Sequence, residues 1–211
     1  MNGVTNGIAM RIFFSCIILA CFSIQSLAQI TVPTINKDQA EKVIQTAMDQ
    51  QGLFWQHFTM PYRIERYEQD KDAELLELLH KRRIVDRASE MSVLKVKGKN
   101  GQPERKKITA IYEYRYKEGK EGTGIYYGSG KIRDVITISK PYLIGDFYYA
   151  EAYIRWYVSN IPQWVEHQAA QNFRLFRRVI ESDYKPFEKR VYLQFDGESW
   201  SVWNARPKLL N

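Results

Sequence analysis

Cysteine is almost absent from this chain. Only Cys16 and Cys21 occur in 211 residues, both within the first 21 positions. The rest of the sequence therefore offers no disulfide framework, thiol nucleophile or thiolate metal site. Histidine is scarce too, with His57, His80 and His167 alone. No two of them stand three or four residues apart, which excludes a zinc-binding helix motif. There is no G-x-S-x-G elbow, and Gly128-Ser129-Gly130 reads as a short turn between strands. The glycine-rich stretch 119–130 precedes a strand pattern rather than a helix, so it lacks the setting of a phosphate-binding loop and reads as two tight turns. No cofactor motif, internal repeat or low-complexity linker is present. Long apolar runs are missing as well. The run Ile12–Ile24 has 13 residues, among them two serines and both cysteines. As a helix it reaches about 20 Å, against a hydrocarbon core of about 30 Å.

What that run does match is a secretory signal. Arg11 precedes it, and Ser26 and Ala28 follow as an A-x-A-like cleavage site. The expectation is that residues 1–28 form a signal peptide cleaved after Ala28, with Met10 an equally serviceable start. The product has no cysteine and no transmembrane anchor, which suits a bacterial periplasm. The alternative is a lipobox at Ile18-Leu19-Ala20-Cys21, anchoring the chain through a lipid on Cys21. The full chain carries 31 basic and 24 acidic side chains. Losing Arg11 leaves a net charge of +6. In a periplasm, that charge meets peptidoglycan carboxylates, lipid phosphates and acidic proteins.

Periodicity divides the remainder into an α+β pattern. Asn36 is placed to cap a helix from Lys37 to about Gln50, with Ala40, Val43, Ile44, Ala47 and Met48 on its apolar face. Pro61 interrupts the chain before a short strand at 62–67. Asp70 or Asp72 opens a second helix carrying Leu75, Leu76, Leu78 and Leu79, with Lys81-Arg82-Arg83 at its basic end. From Ser92 the period changes to two. Strands are expected at 93–97 and 108–116 around an Asn-Gly turn at Gly98–Gly101. More follow at 125–127, 131–139, 147–159, 189–195 and 199–204. Pro162 is placed to start a helix through Trp164, Val165 and Ala169, continuing toward Phe176 and Val179. The expected architecture is a helical N-terminal half, 29–118, followed by a mainly antiparallel β-sheet with one or two helices, 119–211. The two halves are also compatible with one continuous domain.

The order helix, strand, helix, hairpin over the first half resembles a winged-helix unit, carried by Asp72–Asp86 and the turn at Gly98–Gly101. The second half, from Tyr127-Gly128 through Ile132, Ile136, Pro141 and Ile161-Pro162-Gln163-Trp164, is similar to exported bacterial proteins of unknown function. The resemblance implies no activity. Outside the cytosol, a winged-helix shape implies a protein-binding scaffold rather than a DNA reader.

Aromatic residues are the strongest signal for a site. On a strand, Tyr153, Arg155 and Tyr157 share one face and Trp156 takes the other. Two tyrosines flanking an arginine supply flat contact area at low entropy cost, with a charge-assisted donor between them. Together with the basic Lys81, Arg82 and Arg83, they form the expected contact residues of a non-enzymatic envelope protein. Its expected partner is another envelope protein or a cell-envelope polymer, with no cofactor, no metal and, if exported, no nucleic acid. Two rival classes remain open. One is a periplasmic hydrolase using carboxylates such as Asp134, Asp146 and Glu151, or His167 beside Glu166. The other, for a chain that stays in the cytosol, is winged-helix nucleic-acid binding.

Expression of the full chain in a Gram-negative host tests the address. The expected product is a periplasmic species whose intact mass begins at Gln29; an uncleaved cytosolic product would contradict the export reading.

Overall fold

The computed structural model describes residues 32–66, 70–97, 105–118, 120, 122 and 124–204. The expected signal segment, both cysteines and the Gly98–Gly101 turn lie outside them. Helix α1 (Lys37–Asp49) opens with a reciprocal cap. Asn36 Oδ1 accepts from the Gln39 N–H at 2.8 Å, and Gln39 Oε1 accepts from the Asn36 N–H at 3.0 Å. Two otherwise orphaned donors are thereby satisfied. After β1 (Gly52–Trp55) and β2 (Tyr62–Glu65), α2 (Lys71–Lys81) is capped by Asp70, which accepts from the Ala73 N–H at 2.7 Å. Its four leucines, Leu75, Leu76, Leu78 and Leu79, are buried.

Strands β3 (Val85–Val96) and β4 (Arg105–Tyr116) form one long antiparallel ladder, and β2 pairs with the other edge of β4. Strand β3 begins at Val85, well before the alternation that starts at Ser92. Its early residues, Asp86, Ala88, Ser89 and Glu90, are exposed. Backbone pairing with β4 holds them, so no apolar alternation is needed there.

The second sheet is built from β5 (Ile125–Ile138), β6 (Tyr142–Ile144), β7 (Phe147–Ser159), β8 (Phe187–Phe195) and β9 (Trp200–Trp203), with β1 at one edge. Its order is β1-β5-β7-β8-β9, β6 also pairing with β7, and every pairing is antiparallel. Two sequence expectations change here. The chain does not turn at Gly128-Ser129-Gly130, and β5 runs straight through it. The helix expected after Pro162 is three pieces: a 3₁₀ turn at Gln163–Glu166, α3 (Gln168–Gln171) and α4 (Arg174–Glu181). Extended backbone at His167 and Phe173 separates them, with ψ of 144° and 130°.

Helix α1 takes over the edge of β5 where β1 ends. Gln45 Oε1 accepts from the Ile132 N–H at 2.8 Å, and its Nε2 donates to the Gly130 carbonyl at 3.3 Å. Lys37 Nζ donates to the Ile136 carbonyl at 2.6 Å. A side-chain amide thus stands in for a neighbouring strand, leaving fewer ladder groups unpaired. Beneath it, Ala40 and Ile44 pack with Ile132, Val135, Ala150, Ala152, Ile154, Val191 and Leu193. A second cluster joins the α2 leucines and Tyr114 to Ile125, Val158, Trp164 and Phe176, so side chains from both sides of position 119 share one core.

Gly128 is fitted to its neighbours. At φ 148°, an added Cβ would overlap Val158 Cγ1 and lie 2.9 Å from the Ser159 carbonyl. Gly128→Ala is expected to lower unfolding stability by about 3–5 kcal/mol, strain and overpacking adding. Gly145→Ala, at φ 61° with open space around it, is expected to cost only about 1–2 kcal/mol. Urea unfolding of both variants measures the gap, and equal losses would contradict the close approach.

Candidate functional site

Alternation along β7 sorts its side chains to two different environments. Ala150, Ala152, Ile154 and Val158 are buried, and they meet α1, α4 and the short helices. Trp156 lies with them and stacks on Phe187, its cross-strand partner, with ring centroids 4.8 Å apart. Glu151, Tyr153, Arg155 and Tyr157 point the other way and are half-exposed. The structure thus brings Tyr153, Arg155 and Tyr157 onto one face. The helical side chains in both cores meet the opposite face.

The pairing register completes this face with residues from four other strands. Across from Arg155 stand Asp134 on β5 and Glu188 on β8; across from Tyr153 stand Thr137 and Arg190. Arg155 grips Asp134 with both arms of its guanidinium, Nε donating to Oδ1 at 2.9 Å and Nη2 to Oδ2. Two parallel bonds of this kind fix orientation as well as charge. The hydrogen bond from Arg155 holds the Asp134 carboxyl below its ordinary value of 3.8, and Asp134 in turn raises the Arg155 pKa. Tyr153 donates its hydroxyl proton to Glu188, and this bond raises the phenol's pKa. Arg190 pairs with Glu151 at 3.3 Å. Arg133 sits over the Tyr157 ring, 5.4 Å from its centroid, and also holds Asp183 Oδ1 at 3.0 Å.

At the other end of the face the rings gather. Tyr149 lies edge-on to Trp203 at 6.2 Å and beside Tyr142 at 6.3 Å, and its hydroxyl accepts from Gln194 Nε2 at 2.9 Å. The result is a sheet surface of aromatic rings and paired charges. It offers flat stacking area and fixed donors and acceptors, and its arginines are matched by carboxylates, while Lys131, across from Tyr157, is exposed without an ion pair among the described residues.

The other candidate residues lie elsewhere. Lys81 pairs with Glu77 at 3.5 Å, one helical turn earlier, and Arg82 reaches Gln163 Oε1 at 3.5 Å. Arg83 ends α2 at φ 57° and is exposed. His167 caps α3, Nδ1 accepting from the Ala169 N–H at 3.2 Å. His80 Nδ1 stands 3.4 Å from the Val85 carbonyl. His57 stacks flat on Trp55 at 4.4 Å and faces Asp72 Oδ1 at 3.3 Å. Asp134 and Glu151, named above as hydrolase candidates, each hold an arginine. Among the described residues, no group of three His, Cys, Asp or Glu is placed to hold a metal ion.

Sequence reasoning did not find Glu188, Arg190, Tyr149 and Trp203 as members of this face. The alternation of Glu188, Arg190, Tyr192 and Gln194 along β8 was a readable signal for an exposed strand face. Which strand they would lie beside was not readable, because register is a property of pairing.

The Asp134–Arg155 pair has a pH signature. A carboxyl depressed in the folded state adds stability above its unfolded pKa and loses it as the pH falls through the folded value. The stability gap between the parent and Asp134→Asn is therefore expected to be constant from pH 7 to about pH 5. It should shrink below about pH 4 and narrow in high salt, since the pair is half-exposed. Urea midpoints across that range check it; a gap independent of pH would show that Asp134 contributes nothing through its charge.

No family model matches the chain, and neither the curated proteins nor the solved structures hold a significant match.

Proposed function

We propose that this is an exported, non-enzymatic protein of the cell envelope, and that the open face of its six-stranded sheet binds an envelope polymer. One observation carries the reading: Tyr153, Arg155 and Tyr157 stay half-exposed on a broad face while every helix in the two cores packs on the other side. Tyrosine and tryptophan rings stack on flat, weakly polar units, and the carboxylates and amide between them accept from hydroxyl or amide donors. A glycan strand presents both features along an extended chain. The net charge of +6 left after cleavage favours approach to an anionic envelope. The winged-helix likeness of the first half stays part of this proposal for α2 and the β3–β4 hairpin alone, since α1 and β1 join the six-stranded sheet. Lys81, Arg82 and Arg83, at the end of α2, provide a second contact region.

The test is co-sedimentation with purified peptidoglycan sacculi. The parent protein is expected to pellet with them and to release no soluble sugar. Tyr157→Ala is expected to weaken binding about tenfold, a central aromatic contact contributing about 1–2 kcal/mol. Arg155→Ala with Asp134→Ala removes the pair without leaving either charge alone and should weaken it similarly. Unchanged pelleting by both variants would sink the face as the site, and soluble sugar release would favour the hydrolase reading.

A further inference from the structure

The ladder of β3 and β4 continues the core face outward beyond the residues that bury it. Directly paired residues share a face: Val85 with Tyr116, Arg87 with Tyr114, Ser89 with Tyr112, Met91 with Ala110, Val93 with Ile108 and Lys95 with Lys106. The inner end is core, with Val85 and Tyr114 at 0% and 1% exposure. Further out Ala110 is still buried, but the larger apolar side chains of the same face are bare. Met91, Val93 and Ile108 are 72%, 58% and 69% exposed, a density of apolar side chains seldom left in water. Next along the ribbon come Lys95 and Lys106, exposed and without an ion pair among the described residues, with Lys97 two residues beyond Lys95. At about 3.4 Å per residue, the strip from Met91 to Lys95 is about 14 Å long.

We infer that this ribbon is a membrane-docking surface that lies flat on an anionic phospholipid bilayer. Met91, Val93 and Ile108 enter the boundary between headgroups and acyl chains, and Lys95 and Lys106 reach lipid phosphates from the same face. Interfacial binding of this kind needs apolar area and cationic charge on one side. Lysine stems lie along the apolar layer while their ammonium heads stay at the phosphates. The apolar trio decides between anionic partners. Nucleic-acid backbones draw lysines by counterion release and give Met, Val and Ile nothing to enter, whereas a bilayer accepts both. The ribbon is separate from the open face of the six-stranded sheet, so this inference does not rest on polymer binding there.

The experiment uses the full chain with vesicles of phosphatidylglycerol and phosphatidylcholine in equal parts, and with pure phosphatidylcholine. An environment-sensitive fluorophore is placed at Val93→Cys in a Cys16→Ser, Cys21→Ser background. The expected result is a blue shift on anionic vesicles only, with quenching by lipids that carry a doxyl group on the acyl chain. Val93→Ser with Ile108→Ser is expected to reduce partitioning about tenfold. Lys95→Glu with Lys106→Glu should reduce it at least tenfold, each lysine near an anionic surface contributing about fivefold. The four side chains are exposed, and an unchanged urea midpoint checks that the variants fold. If a variant does not fold, the fluorophore reading on the parent sequence decides alone. A probe that stays in water while the protein pellets would overturn the inference, since residues 12–24 would then carry the binding. So would equal shifts on both vesicle types, or a probe that responds to duplex DNA and not to vesicles.

Discussion

Everything in this protein is arranged around strand β7. It is paired on both edges, with β5 and β6 along one and β8 along the other, so its position is fixed along nearly its whole length. Small residues on one side, Ala150 and Ala152, are fully buried and let the α1 layer approach closely. Larger residues farther along, Trp156 and Val158, meet the second core. A strand with period two cannot serve two cores on one face without presenting its other face intact. That other face carries the proposed site.

The arginines on it are held by carboxylates, and this bears on the proposed binding. Arg155 is held by Asp134, Arg190 by Glu151, and Arg133 by Asp183 and the Tyr157 ring. A strongly anionic ligand would have to displace these carboxylates, and each displacement leaves a carboxylate without its partner. A neutral polar ligand loses nothing by leaving them in place. The paired charges also keep the guanidinium and carboxylate groups oriented before any ligand arrives, which lowers the ordering cost of binding. The ribbon of β3 and β4 has the opposite character. Lys95 and Lys106 have no ion pair among the described residues, and they sit beside exposed apolar side chains. One chain thus presents a preorganised face of carboxylate-held arginines and a cationic, apolar strip.

Where the chain departs from regular structure, identifiable backbone groups explain it. The edge of β5 past β1 is closed by Gln45 and Lys37 of α1. Beyond the start of β8, the Val158 N–H donates to the Ser182 hydroxyl at 3.0 Å, and that hydroxyl donates to the Val179 carbonyl at 2.6 Å. In both places a helix supplies the hydrogen bond that a strand would otherwise have made. The interrupted helix after Pro162 is part of the same solution, because its last piece delivers Ser182 to that edge.

The helices capped by Asn36 and Asp70, the long strand at 147–159 and the turn at Asp196-Gly197 were all legible in the sequence. Each is set by local chemistry: a side-chain oxygen near a helix's first N–H groups, a period of two, a residue free to take positive φ. So was the sharing of one face by Tyr153, Arg155 and Tyr157, which needs only that the segment be extended. Three things were decided by tertiary structure alone. The polar stretch from Asp86 to Glu90 is a strand because β4 lies beside it. Gly128-Ser129-Gly130 is strand rather than turn because β1 pairs with it on one edge and β7 on the other. The partners of Arg155 and Tyr153 are Asp134 and Glu188 because bulged β5 and distant β8 happen to meet β7 in that register. Local sequence determines which way a side chain points; only the paired neighbour determines what it meets.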